Sequence, residues 1–314
     1  MTVDIRDSYF DKIYEISAID KNVIFMTADA DAFSLKKYKK DFPNRFMNVG
    51  VSEQNLINVA AGLALSGKKV FIYAIIPFIT MRCYEQIKVN ICSMNLPVTI
   101  IGSGSGLSFG NDGPTHHAIQ DISVMRTLPE ITILNPSDNT STSKCAQLSY
   151  ESKTPVYVRL DKGTFPDIYN EKDNYSDGLK IIRNLSDINI ISTGYMTHIA
   201  IDVANYFKRY RNLNVGVIDV YRLKPINKDL LLRYIDTSRI IITIEENSIV
   251  GGLGTFISEI ITDTQNNRNV ILKRIAIPDK QCFDYGDRKW LHKKYEIDEN
   301  SIIDNITKMR DQFC

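Results

Sequence analysis

Short β-branched runs bounded by turn residues alternate along this chain with segments whose apolar positions recur every three or four residues. Val23–Thr27, Lys69–Ala74, Val98–Ile101, Ile131–Leu134 and Val156–Leu160 read as strands, and Phe46–Val49 as a shorter one. Between them Leu56, Val59, Ala60, Leu63 and Ala64 recur at helical spacing, as do Phe78, Met81, Tyr84, Ile87 and Ile91. Pro136-Ser137-Asp138 supplies a helix start for residues about 139–151. Strands alternating with helices predict a mostly parallel sheet covered on both faces, with right-handed crossovers and functional loops at the carboxyl ends of its strands.

The alternation lapses between Asp161 and Gly178, a stretch rich in Asp, Asn, Gly and Pro. It then resumes with strands at Ile188–Ser192, Val215–Val220, Ile240–Ile244 and Val270–Ile277, and helices from Thr197, after Pro225 and after Gly254. The expected class is α/β with two doubly wound domains, at residues 1–165 and 179–314, joined by a linker at 166–178. Neither an internal repeat nor a low-complexity tract interrupts this organisation.

Composition narrows the function classes. The length of 314 residues suits two domains with sizeable cores. Lys+Arg 38 against Asp+Glu 37 leaves a net charge of +1, which provides no electrostatic footprint for nucleic acid or an anionic membrane. The most apolar stretch, Val70 to Ile79, is far shorter than a membrane span, and the opening MTVDIRDSYF lacks the apolar run of a secretory signal. Five cysteines (83, 92, 145, 282 and 314) form no CxxC, a usage that suits reduced thiols and predicts a cytoplasmic protein.

Several segments carry candidate chemistry, and each has a plain structural alternative. Gly50-Val51-Ser52-Glu53 opens a helix, where Ser52 as a cap and Glu53 as a first-turn acid would suffice. Gly102-Ser103-Gly104-Ser105-Gly106 matches neither GxGxxG nor the Walker pattern and reads as a flexible loop of small residues. Gly251-Gly252-Leu253-Gly254 is a partial dinucleotide fingerprint that close packing at a helix start explains equally well. The loop Gly110-Asn111-Asp112-Gly113-Pro114-Thr115-His116-His117 is more specific: it gathers two of the four histidines with an acid and two glycines beyond a strand. No third ligand of matching spacing accompanies His116 and His117, so a metal held by that pair is not expected.

In order, these pieces are a helix-opening Glu53, Phe78 with Met81 and Tyr84 about 25 residues later, a Gly-rich loop ending DGPTH, and a second α/β unit with EEN and GGLG. That order resembles the C-terminal portion of transketolase and its relative deoxyxylulose-phosphate synthase, over essentially the whole chain. Pyruvate-dehydrogenase-type β subunits share the architecture and the glutamate, but usually carry an HSQS-like segment where this chain has GPTHH. The resemblance implies a pyrimidine-binding domain followed by the family's C-terminal domain, with thiamin diphosphate as cofactor. It makes Glu53 the partner of the aminopyrimidine ring, favouring the imino tautomer that takes the thiazolium C2 proton. Phe78, Met81 and Tyr84 would form the pyrimidine pocket. His116 would contact substrate oxygens and assist proton transfer, Asp112 would bond a sugar hydroxyl, and Arg6, spaced from Asp29 as in the family's R…AD pattern, would reach toward a phosphate.

Departures from the family pattern refine the expectation. Gly104 stands where the family has a phosphate-site histidine, and Lys162 where it has an arginine, with Arg159 nearby as a substitute. Exchanging a bidentate fork for a point charge is not conservative. It points toward a sugar carried on a larger group, or an unphosphorylated ketose. The family's GDG…N motif, which holds Mg²⁺ and the cofactor's diphosphate, does not occur in this chain. A split enzyme follows, in which an N-terminal partner subunit supplies that motif in an α2β2 assembly and transfers a two-carbon ketol unit from ketose to aldehyde. A deoxyxylulose-phosphate-synthase-like or 2-oxo-acid decarboxylating subunit, or a non-catalytic scaffold, are the alternatives. EEN and GGLG are expected to be structural.

Overall fold

The computed structural model of the chain describes residues 3–264 and 270–313, so Cys314 lies outside the described residues. Its strands are β1 (Val23–Thr27), β2 (Phe46–Asn48), β3 (Lys69–Ile75), β4 (Val98–Ser103), β5 (Thr132–Leu134), β6 (Val156–Leu160), β7 (Lys180–Arg183), β8 (Ile188–Ser192), β9 (Gly216–Asp219), β10 (Arg222–Lys224), β11 (Ile240–Ser248) and β12 (Ile271–Ile277). They form a seven-stranded sheet in the order β10-β5-β6-β4-β3-β1-β2 and a five-stranded sheet in the order β12-β11-β8-β9-β7. Pairing is parallel except at β10–β5 and β7–β9. The α/β class with two mostly parallel sheets is therefore the observed one.

Burial follows from this layering. β4 and β6, with neighbours on both sides and helices on both faces, are buried along their whole length. Helices Ile5–Ile19 and Asn139–Glu151 lie against each other on one face, over an aromatic cluster in which Phe10 meets Phe25 and Tyr73 edge-on. The opposite face is covered by the helix Glu53–Leu65. One apolar cluster runs from Met26 and Leu56 through Ile133 to Leu223, Leu253 and Ile257, so the two sheets share a continuous core.

The sequence pattern does not announce the following features. β10 follows β9 in the chain yet joins the first sheet, antiparallel to β5; three residues without a periodic pattern leave no local signal for that pairing. The segment after Asp161, expected as a linker, is strapped down at Ile168 and Tyr169. Asp138 caps the helix Asn139–Glu151, and its second oxygen accepts from the N–H groups of Ile168 and Tyr169, while the Tyr169 hydroxyl donates to buried Asp219.

Two buried carboxyls set a pH dependence. Burial pushes Glu245 up to about 7, although the N–H groups of Leu253 and Gly254 at a helix start donate to it at 2.7 and 2.8 Å. Burial likewise pushes Asp219 up to about 6, against hydrogen bonds from Thr197, Tyr169 and Ser137. A folded-state pKa above the unfolded one means that the folded chain holds more protons, so stability falls as pH rises. The contribution is fully present below about pH 4 and is lost by about pH 7. For Glu245 it amounts to roughly 3 kcal/mol. Thermal midpoints of the isolated chain should decline between pH 5 and pH 8, and Glu245→Gln should flatten that decline.

Candidate active site

The candidate residues converge on the carboxyl edge of the first sheet, where α/β sheets bind ligands. β2 leads to Glu53, β3 to Phe78, β4 to the loop bearing Asp112 and His116, and β6 to Lys162. Glu53 opens its helix at 3% exposure, and Ser52 does not cap it: the Ser52 hydroxyl donates to the Val49 carbonyl instead. Glu53 does sit in the first turn, but the Ser52 side-chain cap is absent, and a carboxylate out of water needs a partner. That partner is Arg82, whose Nη1 donates to Glu53 Oε2 at 2.7 Å.

From Arg82 the contacts continue as a line. Its guanidinium carbon lies 4.3 Å from the centre of the Phe78 ring. Phe78 meets the His116 imidazole edge-on at 5.1 Å, and His116 meets Phe109 at 6.3 Å. The Lys162 ammonium sits 5.0 Å over Phe109. Glu53, Phe78, His116 and Lys162, far apart in sequence, thus form one array in which Arg82 and Phe109 are the links that sequence reasoning missed. His116 Nδ1 is engaged by the Thr115 hydroxyl at 3.0 Å, and Asp112 is exposed on the same loop.

The remaining candidates make contacts of their own. The expected continuous helix through Phe78, Met81 and Tyr84 is broken into Ile76–Ile79, a turn, and Tyr84–Gln86. Met81 therefore lands on the turn at 38% exposure, and Tyr84 directs its hydroxyl to Thr127 rather than toward Phe78. Pro77 at the first turn was the available signal that a helix begins there afresh. Arg159 is buried at 3% exposure, donating to Asp121 at 2.8 Å and to the Ala118 carbonyl at 2.7 Å. Arg6 forks onto Asp4 at 2.9 and 3.0 Å, beside Gly163, whose N–H also donates to Asp4. Of the three cations, Lys162 alone presents its charge to the array.

The Gly-rich segment at the end of β4 is packed, not a loose loop. Gly102 through Gly106 are all buried, and Ser105 donates to Asp161 at 2.8 Å. At Gly104, with φ +90°, a Cβ would lie 2.0 Å from the Phe109 ring. Glycine at this position is what lets Phe109 fill the space and carry Lys162 and His116 on either side. Gly104→Ala should cost roughly 2–4 kcal/mol through backbone strain and overpacking. Denaturant titration checks this, and adding Phe109→Ala should recover the overpacking part.

The second sheet braces this edge from below. Arg288 donates to Asp161 at 3.0 and 2.7 Å and to Glu246 at 2.8 Å, and the His292 imidazole also meets Glu246. Those cations hold Glu246 well below the usual carboxylate range in spite of its burial. Gly286 N–H donates to the Gly110 carbonyl at 3.1 Å, which fixes the root of the Asp112–His116 loop. Glu245 and Gly251–Gly254 form the helix start described above, with a Cβ at Gly252 excluded by the Glu245 carboxylate, 2.1 Å away.

Comparison with known proteins gives consistent results. Residues 1–167 match the family model described as Transketolase, pyrimidine binding domain, and residues 177–302 match Transketolase, C-terminal domain. A protein of Actinobacillus succinogenes, named as one of the subunits of an apulose-4-phosphate transketolase, is 34% identical over 92% of this chain and 93% of its own length. A protein of the same name from Phocaeicola vulgatus is 32% identical over 95% of this chain and 94% of its own. Among solved structures, one described as a split gene transketolase, inactive beta4 tetramer, superposes with a TM-score of 0.85 at 27% identity, covering 98% of both chains.

Proposed function

Because the chain belongs to the transketolase family and consists of its pyrimidine-binding and C-terminal domains, we propose that it is the pyrimidine-binding subunit of a two-chain transketolase. It moves a two-carbon ketol unit from a ketose donor to an aldehyde acceptor. The observation that carries this reading is the buried Glu53 carboxylate at a helix start, with a flat cationic group bonded to it and placed over Phe78. The same seat suits an aminopyrimidine, which is also flat and also offers N–H groups to a carboxylate. Bound thiamin diphosphate would supply the carbanion chemistry of ketol transfer.

The chain's own residues then take distinct parts. Glu53, out of water, would face the aminopyrimidine ring and give or take a proton there. Phe78 gives that ring an apolar face. His116 has Nδ1 engaged by Thr115, which leaves Nε2 to give or take a proton at a substrate oxygen. Asp112 receives a sugar hydroxyl, and Lys162 meets the distal end of the sugar. No cluster of His, Cys, Asp or Glu among the described residues could hold a metal ion. We assign Mg²⁺ and the diphosphate to a partner subunit, within an α2β2 assembly. Among the described residues no helix is long and apolar enough to cross a membrane, and four cysteines are free and buried. A reducing cytoplasm suits those thiols.

The relatives' shared name specifies a phosphorylated ketose. Here Arg6 and Arg159 are both spent on carboxylates, and an exposed ammonium such as Lys162 contributes only about 1 kcal/mol to a surface ion pair. A ketose phosphate should therefore be preferred over its unphosphorylated counterpart by no more than about fivefold. Competition assays at fixed concentration read that ratio. The reaction class is tested by giving the assembled enzyme a ketose with an aldehyde, or pyruvate alone. Ketol transfer without carbon dioxide release supports the proposal, and carbon dioxide release from pyruvate contradicts it.

A further inference from the structure

Resting on the functional reading above, we infer that Arg82 is an internal occupant of the aminopyrimidine seat, which it must vacate before the cofactor ring can enter. Its Nη1 donates to Glu53 Oε2 at 2.7 Å while its guanidinium carbon lies 4.3 Å from the centre of Phe78. A guanidinium and an aminopyrimidine share this pattern: each is planar, each offers N–H donors at its edge, and each can pack over an aromatic ring. One buried carboxylate and one ring face cannot serve both groups at once.

The side chain is arranged to leave. The Arg82 main chain is held at both ends, its N–H donating to the Pro77 carbonyl at 3.3 Å and its carbonyl accepting from Gln54 at 3.3 Å. The side chain itself is 44% exposed, whereas its partner Glu53 is 3% exposed. Rotating the guanidinium outward thus moves a half-solvated cation into water and strips nothing from the core. What it leaves behind is a buried carboxylate without a donor, a costly state that an entering ring relieves. In the cofactor-free subunit Arg82 pairs with Glu53 and orients it. During loading it acts as a competitor, and the contacts it gives up lower apparent cofactor affinity by about tenfold.

Calorimetric titration of thiamin diphosphate with Mg²⁺ into the complex of this chain and its partner tests the inference. The proteins compared are wild type, Arg82→Met, Arg82→Lys, and Glu53→Gln with and without Arg82→Met. Arg82→Met keeps the apolar stem and loses the donors, so it should bind about tenfold more tightly than wild type. Arg82→Lys, with its charge but no planar fork, should fall between them. In the Glu53→Gln background the gain should shrink, because the contested carboxylate is gone. Without cofactor, Arg82→Met should melt below wild type. Should Arg82→Met fail to fold, Arg82→Lys decides alone. Equal or weaker binding by the Arg82 variants overturns the inference while leaving the functional reading intact. No binding by the wild-type complex overturns that reading and the inference with it.

Discussion

Glu53→Gln in the assembled enzyme should lower turnover by roughly 10²–10⁴-fold, the range for loss of a positioned acid–base group. The substitution keeps the volume and leaves an amide carbonyl to accept from Arg82, so folding should survive. What it removes is the capacity to share a proton at this oxygen. The site is placed to make that capacity count: Glu53 is 3% exposed, opens a helix whose dipole favours negative charge, and has Phe78 and His116 in line beyond Arg82. Circular dichroism and thermal midpoints establish that the fold persists. Turnover with a ketose donor and an aldehyde acceptor measures the effect, and undiminished turnover in a folded variant would sink the assignment of Glu53.

Arg288→Met should be the most destabilising single change at the junction of the two sheets, at roughly 3–5 kcal/mol. Its guanidinium lies between Asp161 and Glu246, each 3% exposed, and bonds both. Removing it leaves two buried carboxylates that both lose their guanidinium partner, with His292 still on Glu246 and the Ser105 hydroxyl on Asp161. The pH dependence carries the sign. In wild type Glu246 titrates below its ordinary value, so its stabilisation is present above about pH 4.5 and is lost as pH falls. Without Arg288 the burial effect dominates and the carboxyl resists ionisation, so the deficit of the variant should grow as pH rises from 4.5 to 7.5. Urea titrations at those two values measure it, and adding Asp161→Asn should recover part of the loss. A variant as stable as wild type at pH 7.5 would mean that the network does not brace the junction.

How much of this is legible in the chain depends on whether a feature is local. Val23–Thr27, Val156–Leu160 and Ile188–Ser192 agree with the sequence reading to the residue, and the helix Asn139–Glu151 lies where it is expected, because β-branched runs and the capping group at Asp138 are local signals. The helix Ile5–Ile19 escapes that reading; its buried side, including Tyr9, Phe10 and Ile13, is interrupted by charged residues that face outward. The stripe from Phe78 to Ile91 keeps helical spacing across segments that do not form one helix, so periodicity alone does not fix how Met81 and Tyr84 lie with respect to Phe78. Glu53 could be singled out from its motif, but its burial and its pairing across 29 residues with Arg82 could not. Asp161 and Arg288, 127 residues apart, meet only because two sheets pack, and no spacing rule announces such a pair.

The central claim is that this chain holds one half of a cofactor site completed by another chain. Titrating thiamin diphosphate with Mg²⁺ into the chain alone, into its copurifying partner alone, and into the two together tests it most directly. Binding confined to the mixture, and weakened by Glu53→Gln, is the expected result. Tight binding by the isolated chain, or none by the mixture, would contradict the account.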